Sequence, residues 1–226
     1  MSSIPLFSDR INAGEQLAQS ILREVAQLNT EGVSAQPIVY ALPRGGIPVA
    51  VPIARSLGCP LDIVVAKKIT KPQNPELAIG AVTADGHVLW ADPKPFRKSQ
   101  QSIRETALLQ AQEKAQAQLA KFSPSCPQIS PEGAIAILVD DGIATGMTMA
   151  VAVQALKAQN PAQVWISAPV APAELMTSLQ EWGDRVIVLE MPHPFLSVSR
   201  FYVEFPQVET SEALAYLQQY NNPQLS

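Results

Sequence analysis

Little in this sequence speaks for metal, membrane or nucleic acid. It has only two cysteines, Cys59 and Cys126, far apart and without metal-ligand spacing. Neither a disulfide framework nor a zinc site is expected, and a reduced cytoplasmic chain fits this usage. Charged residues make up 16% of the 226, against about 25% in an average soluble protein. Sixteen Lys+Arg face twenty Asp+Glu, for a net charge of −4. With no basic surplus to neutralise a phosphate backbone, a nucleic-acid partner is not expected. The most apolar run, Gly133 to Val139, is far short of the roughly 20 residues of a bilayer span, so no membrane partner is expected either. Asp9 and Arg10 stand where a secretory signal would be building its apolar stretch, which argues against one. Scarce charge does not mean disorder here: 47% of the residues are hydrophobic, ample for a core. At roughly 100–200 residues per domain, the length suits one domain.

Proline is in excess, with 20 residues scattered singly where elements begin and end. Between them the pattern alternates. A helix is expected from Ser8, as N-cap, to Leu28, and a buried strand over Pro37–Leu42. A helix over Ile47–Leu57 is closed by Gly58, with Pro52 in its first turn or kinking it. A second buried strand is read over Leu61–Ala66. The basic cluster Lys67, Lys68 and Lys71 follows it, and Pro72, Asn74 and Pro75 mark a loop. Leu77–Val82 and His87–Trp90 read as a hairpin turned at Asp85-Gly86. The spacing Ser102 to Glu105 predicts a capping box opening a helix that runs to Phe122. A strand over Ala134–Val139, a helix from Met147, a strand over Val164–Val170, a helix over Ala173–Trp182 and a strand over Val186–Glu190 follow. The tail is irregular, then helical from about Ser211. Strand–helix alternation with near-continuous apolar strands predicts an α/β fold, a mainly parallel sheet with helices on both faces. Ligands of such sheets bind at the carboxyl ends of the strands, which singles out 43–46, 67–71 and 140–148.

The segment Ile137-Leu138-Val139-Asp140-Asp141-Gly142-Ile143-Ala144-Thr145-Gly146-Met147-Thr148 carries the strongest chemical signal. A buried strand meets two carboxylates, a small-residue loop and a helix start. Loop N–H groups, the Thr145 and Thr148 hydroxyls and the helix N-terminus make an anion cradle. Carboxylates beside a phosphate cradle suit a ligand that also brings hydroxyls or a developing positive charge, as a ribose phosphate does. A strand whose acidic turn merely caps a helix is the plain alternative. Walker, dinucleotide-binding, G-x-S-x-G and H-E-x-x-H patterns do not occur.

This stretch resembles the phosphoribosyl-pyrophosphate (PRPP) signature of the type I phosphoribosyltransferases, and the resemblance spans roughly residues 37–190. Together with Pro43-Arg44-Gly45-Gly46 and Asn74-Pro75-Glu76-Leu77-Ala78-Ile79-Gly80-Ala81-Val82, it is similar to a bacterial group of predicted phosphoribosyltransferases of unassigned base specificity. Two departures stand out. Gly142 takes the place of a branched apolar residue, and Ala144 that of a threonine.

The resemblance implies one domain with a core over about 34–190 and a flexible-loop hairpin over about 69–98. A small hood would form from about 191–226 with the N-terminal helix. It implies that Asp140 and Asp141 hold the ribose 2′- and 3′-hydroxyls and favour an oxocarbenium-like transition state. Ile143, Ala144, Thr145, Gly146, Met147 and Thr148 would hold the 5′-phosphate. Arg44, Gly45 and Gly46 would meet pyrophosphate in a loop that often carries a strained or cis peptide. Lys68, then Lys67, would meet the leaving pyrophosphate, with a solvated basic cluster as the alternative. Phe195, Val198 and Tyr202 would line the base pocket, against packing inside the hood as the alternative. Glu76 is left between function and surface.

The implied activity is that of a pentosyltransferase of nucleotide metabolism, moving phosphoribosyl from PRPP to a nitrogen nucleophile such as a nucleobase. The Mg²⁺ would be held mainly through PRPP's own oxygens. A non-catalytic PRPP- or nucleotide-binding regulator is the alternative, and a homodimer is left open. The absence of lysine from Ile166-Ser167-Ala168-Pro169-Val170-Ala171-Pro172 weakens a hypoxanthine–guanine reading.

Overall fold

A computed structural model describes residues 5–30, 35–71, 74–92 and 98–222. Five strands form a parallel sheet: β1 (Pro37–Ala41), β2 (Leu61–Ile63), β6 (Ile135–Val139), β7 (Gln163–Val170) and β8 (Arg185–Glu190), in the order β2-β1-β6-β7-β8. Its centre, β6, is apolar at every position because both faces are covered. The period of two divides these side chains between two cores. Val39, Ala41, Ile135, Ile137, Val139 and Trp165 pack on one face with α1 (Arg10–Thr30) and α2 (Gly46–Leu57). Ile38, Tyr40, Ala136, Leu138, Val164 and Ile166 pack on the other, against α4 (Met147–Lys157) and α5 (Met176–Trp182). The C-terminal helix α6 (Thr210–Asn221) sends Ala213 and Leu217 into the first core, and Asn221 donates to the Leu61 carbonyl at 3.1 Å.

The alternation read from the sequence is present, with local differences. Asp9, not Ser8, caps the first helix, its Oδ1 accepting the Asn12 N–H at 2.8 Å. Pro52 lies well inside α2, beyond its first turn, so the Pro48 carbonyl receives no bond from position 52. Gly58 closes that helix with φ 60°. The helix α3 (Lys98–Phe122) starts before Ser102, whose carbonyl instead accepts the Thr106 hydroxyl at 2.9 Å. The expected capping box is therefore interior sequence.

The largest difference concerns residues 61–90. The single strand expected over Leu61–Ala66 is divided: β2 stops at Ile63, and β3 (Ala66–Lys71) starts a second sheet. That sheet is antiparallel, in the order β3-β4-β5, with β4 at Asn74–Thr83 and β5 at Val88–Trp90. The expected hairpin is β4–β5, pairing Gly80 with Trp90 and Val82 with Val88. Lys67, Lys68 and Lys71 are thus strand residues, and Asn74 opens a strand where a loop is predicted. Within the expected flexible-loop hairpin, Ile69 and Val82 are buried on Ala107 and Ala111 of α3. Pro72, the predicted loop marker, and residues 93–97 of the expected flexible loop lie outside the described residues, as does the side chain of Glu76.

Residues 5–9 and 195–205 form a small apolar cap beside the carboxyl end of β7. Phe7 bridges to Tyr202, and Phe201 and Val170 pack beside them. No described helix is long and apolar enough to cross a membrane.

Candidate functional site

Three chain segments converge at the carboxyl ends of β1 and β6 and the first half of β3. The Val139 carbonyl at the tip of β6 accepts the Leu42 N–H at 2.8 Å, so the loop after β1 starts in contact with the loop after β6. Gly45 and Gly46 then permit a close crossing. A Cβ on Gly45 would collide with the Asp141 carboxylate, and one on Gly46 would lie 2.7 Å from the Val139 oxygen. The Pro43–Arg44 peptide between them and β1 is cis.

Beyond β6 the chain runs through Asp140–Gly146 into α4. Gly146 has φ 72°, a left-handed conformation that admits glycine readily. The Ala150 N–H donates to the Gly146 oxygen at 2.8 Å and begins the helical ladder. The N–H groups of Met147, Thr148 and Met149 precede it and have no acceptor within the helix. Ile143 contributes differently from its neighbours: it is buried, and its N–H is engaged by the Val170 carbonyl at 2.9 Å. It is a wall of the loop and not a donor. The cradle's donors therefore come from 144–148, where Ala144 and Thr145 are exposed.

Gly142 explains its own departure from the family pattern. A Cβ there would collide with Val198 and lie 3.0 Å from Val170. Val198 of the cap fills the space that a branched residue at 142 would take. Gly142→Val is expected to destabilise the fold by about 1–3 kcal/mol through overpacking. Val198→Ala should restore part of that loss in the double variant. Melting curves of the four proteins test this, and strictly additive effects would refute the exchange of volume.

The acid pair divides the surface into two cavities. One, of about 210 Å³, is lined by Asp140, Thr145, Thr148, Lys68 and the backbone of the loop. The other, of about 440 Å³, is lined by Asp141, Arg10, Arg44, Gly45 and Lys67, with Gln118 and Phe205. The two lysines on successive positions of β3 thus face opposite ways: Lys68 serves the loop cavity and Lys67 the cavity of Arg44. Arg44 lies 3.4 Å from the Thr210 hydroxyl and 3.6 Å from Glu209. Burial, then the Arg44 and Lys114 charges, lowers the pKa of Lys67. Cations held together in this way favour an anionic ligand.

Burial raises the pKa of Asp140 well above the ordinary carboxylate range, and the neighbouring Asp141 charge adds to it. Burial also raises Asp141, while the Arg10 guanidinium pulls it back. That guanidinium lies 2.7 Å from Asp141 Oδ2. Among the described residues no group of three or more His, Cys, Asp or Glu is placed to hold a metal ion. Burial pushes the Cys59 thiol up to about 11 and Cys126 up to about 12, so neither is an activated nucleophile.

Of the sequence-predicted residues, Asp140, Asp141, Lys67, Lys68, Arg44, Gly45 and residues 143–146 and 148 line the two cavities. Gly46 lies behind them as the backbone contact, and Met147 opens α4 beside the loop. The three residues read for the base pocket line neither cavity. Tyr202 is buried and donates its hydroxyl to the Asp141 carbonyl at 2.6 Å, Phe195 stacks on Phe201 at 5.8 Å, and Val198 covers Gly142. Among the described residues, the aromatic ring that lines one of these two cavities is Phe205. Sequence reasoning missed it, along with Arg10 and Gln118. Gln118 places a buried Oε1 with no hydrogen-bond partner among the described residues. It sits among other glutamines and alanines of α3, and nothing in that pattern distinguishes it.

A family profile described as phosphoribosyl transferase domain matches residues 8–190. Two curated relatives from Mycobacterium tuberculosis strains, each provisionally named a phosphoribosyl transferase, are 35% identical over 217 residues, covering 94% of this chain and 46% of theirs. The chain thus spans about half the length of the curated relatives it matches. The crystal structure of TT1426 from Thermus thermophilus is 32% identical, with a TM-score of 0.77 over 96% of this chain and 99% of that one.

Proposed function

The chain belongs to the phosphoribosyl transferase domain family, and from that premise we propose that it moves the 5-phosphoribosyl group of PRPP to a nitrogen nucleophile, a nucleobase in the simplest case, releasing pyrophosphate. The observation that carries this reading is the division of the strand-end surface. One acid pair stands between a phosphate-loop cavity and a cavity ringed by Arg10, Arg44 and Lys67. A ligand with a phosphate at each end and a hydroxylated ring between them suits that arrangement.

In this reading the 5′-phosphate takes the N–H groups of 144–148, the Thr145 and Thr148 hydroxyls and Lys68. Asp140 receives ribose hydroxyls. Arg44, Lys67 and the Gly45-Gly46 backbone receive pyrophosphate, so Lys67 takes the leaving-group role first read for Lys68. The nucleophile's nitrogen bonds to C1 with inversion as the C1–O bond breaks, that electron pair leaves on pyrophosphate, and the nitrogen's proton passes to solvent. Negative charge from the acid pair favours the cationic character that builds on the ring. Magnesium is part of the substrate, carried on PRPP's own oxygens and water, as this reluctantly dehydrated ion prefers. The two unpaired cysteines suit a cytoplasmic setting.

The test is a panel of nucleobases with magnesium PRPP, read as pyrophosphate release. Release with one base supports the enzyme, whereas tight PRPP binding with no release from any base favours the regulatory alternative. Arg44→Ala should weaken PRPP and pyrophosphate by about tenfold or more, as for a lost charge-assisted contact, and leave a nucleoside monophosphate nearly unchanged. Equal losses for both ligand types would assign Arg44 a purely structural role.

A further inference from the structure

Asp141 is held from several directions by residues that no phosphate or ribose contact requires. Arg10, the first residue of α1, is 9% exposed. Its Nε donates to Asp141 Oδ2 at 2.7 Å and its Nη1 to the Pro206 carbonyl at 2.7 Å. Its guanidinium lies 3.7 Å from the centre of the Phe205 ring. Phe205 in turn packs against Tyr202, whose hydroxyl donates to the Asp141 carbonyl. The result is a buried cation fixed by a carboxylate, a carbonyl and an aromatic face. The two acids consequently differ. Asp141 is paired on the side of the cation-lined cavity, whereas Asp140 faces the phosphate loop, where Lys68 lines the same cavity, and has no ion-pair partner among the described residues.

We propose that Arg10 is a positioning residue for the acid pair: it keeps Asp141 ionised and turned from the phosphate loop, so that Asp140 alone gains a proton when the site is empty and loses it to solvent when ribose hydroxyls arrive. The inference rests on the phosphoribosyl reading for its ligand but not for its protonation claim. On balance the neighbouring charges agree with it. The other charged groups near Asp141 are Arg44 and Lys67, which line the same cavity, and Asp9, which adjoins Tyr202. The two cations also favour an ionised Asp141. Asp9 opposes it.

The experiment is a carbon-13 carboxyl titration of both aspartates by NMR in the ligand-free protein, set beside calorimetric binding of magnesium PRPP over the same pH range. In the wild type, Asp141 should titrate well below Asp140, and binding should weaken on acidification and release one proton as the site fills. Arg10→Gln should raise the Asp141 midpoint by about one pH unit or more, the size of shift a close opposite charge produces. Its acid limb of binding should steepen toward two protons. Arg10→Lys, which keeps the charge, should leave the Asp141 midpoint near its original place.

A uniform loss of affinity at every pH, with both midpoints unmoved, would make Arg10 a tie between segments and overturn the proposal. Should Arg10→Gln fail to fold, Asp141→Asn decides: Asp140 must then titrate lower, because its charged neighbour is gone, and an unmoved midpoint overturns the proposal equally. Failure of the wild type to bind PRPP would refute the functional reading while leaving the titration result intact.

Discussion

Asp140→Asn is expected to lower PRPP turnover by about a hundred- to a thousandfold, the range seen when one group stabilising transition-state charge is removed, and to melt at a higher temperature than the wild type at neutral and alkaline pH. The two effects have one cause. The carboxyl group is buried beside another acid, which raises its pKa in the folded protein. Between the unfolded value of about 3.9 and that raised value, the folded state holds a proton that the unfolded state has lost. The contribution of Asp140 to stability is therefore fully present below the unfolded pKa and is lost as pH rises through the folded one. An asparagine never becomes charged and escapes that loss. Its amide oxygen can still accept the Asp141 N–H, which Asp140 Oδ1 accepts at 2.9 Å. The melting temperatures should coincide near pH 4 and separate as pH rises, by about 2–4 °C for each kcal/mol in a chain of this size. Wild-type turnover should fall on acidification at a pH above the ordinary carboxylate range. An asparagine variant that melts below the wild type at about pH 8 would show that Asp140 carries no such penalty.

The parts of this site visible in the sequence are those whose physics is local. Five buried residues over Ile135–Val139, two acids and Gly146 before a helix fix a strand, a loop and a helix start within twelve residues. The same holds for the Arg44-Gly45-Gly46 turn, since a strand end followed by paired glycines allows close approach wherever it occurs. The division of 61–71 was hidden because Val64 and Val65 are as apolar as the strand residues around them. Only the change of pairing partner, from β1 to β4, marks the break. Arg10 was hidden for a different reason. It lies 131 residues from Asp141, and nothing in its neighbourhood signals that it turns inward. The cap aromatics were visible as a group, but which ring faces a cavity depends on how the cap folds back on Phe7. That pairing joins Phe7 to Tyr202 and leaves Phe205 on the cavity side.

Gly46→Val is expected to be the most damaging single change at the site that touches no charged group. Position 46 is buried at the start of α2, and its left-handed freedom is not what matters there. What matters is distance: a Cβ would lie 2.7 Å from the Val139 oxygen and 3.1 Å from the Asp140 Cα. Both are backbone atoms at the tip of the central strand, so no rotamer change relieves the contact. The loop after β1 cannot simply back away either, since the Leu42 N–H holds the same Val139 oxygen and the Gly46 N–H holds the Leu42 carbonyl at 3.1 Å. Overpacking of this kind costs about 1–3 kcal/mol, which corresponds to a fall in melting temperature of a few degrees to about ten. The larger effect should be on binding. Any widening between the Arg44 loop and the acid pair separates the two cavities that the proposed ligand spans, and a displacement of about 1 Å can cost on the order of a hundredfold in rate. Gly133→Ala is the control: its φ of 69° carries a conformational cost, but a Cβ there meets nothing within 4 Å and the position is remote from the site. It should lose stability without losing magnesium PRPP binding. If Gly46→Val melted and bound as the wild type does, the close crossing of the two loops would not be what this glycine provides.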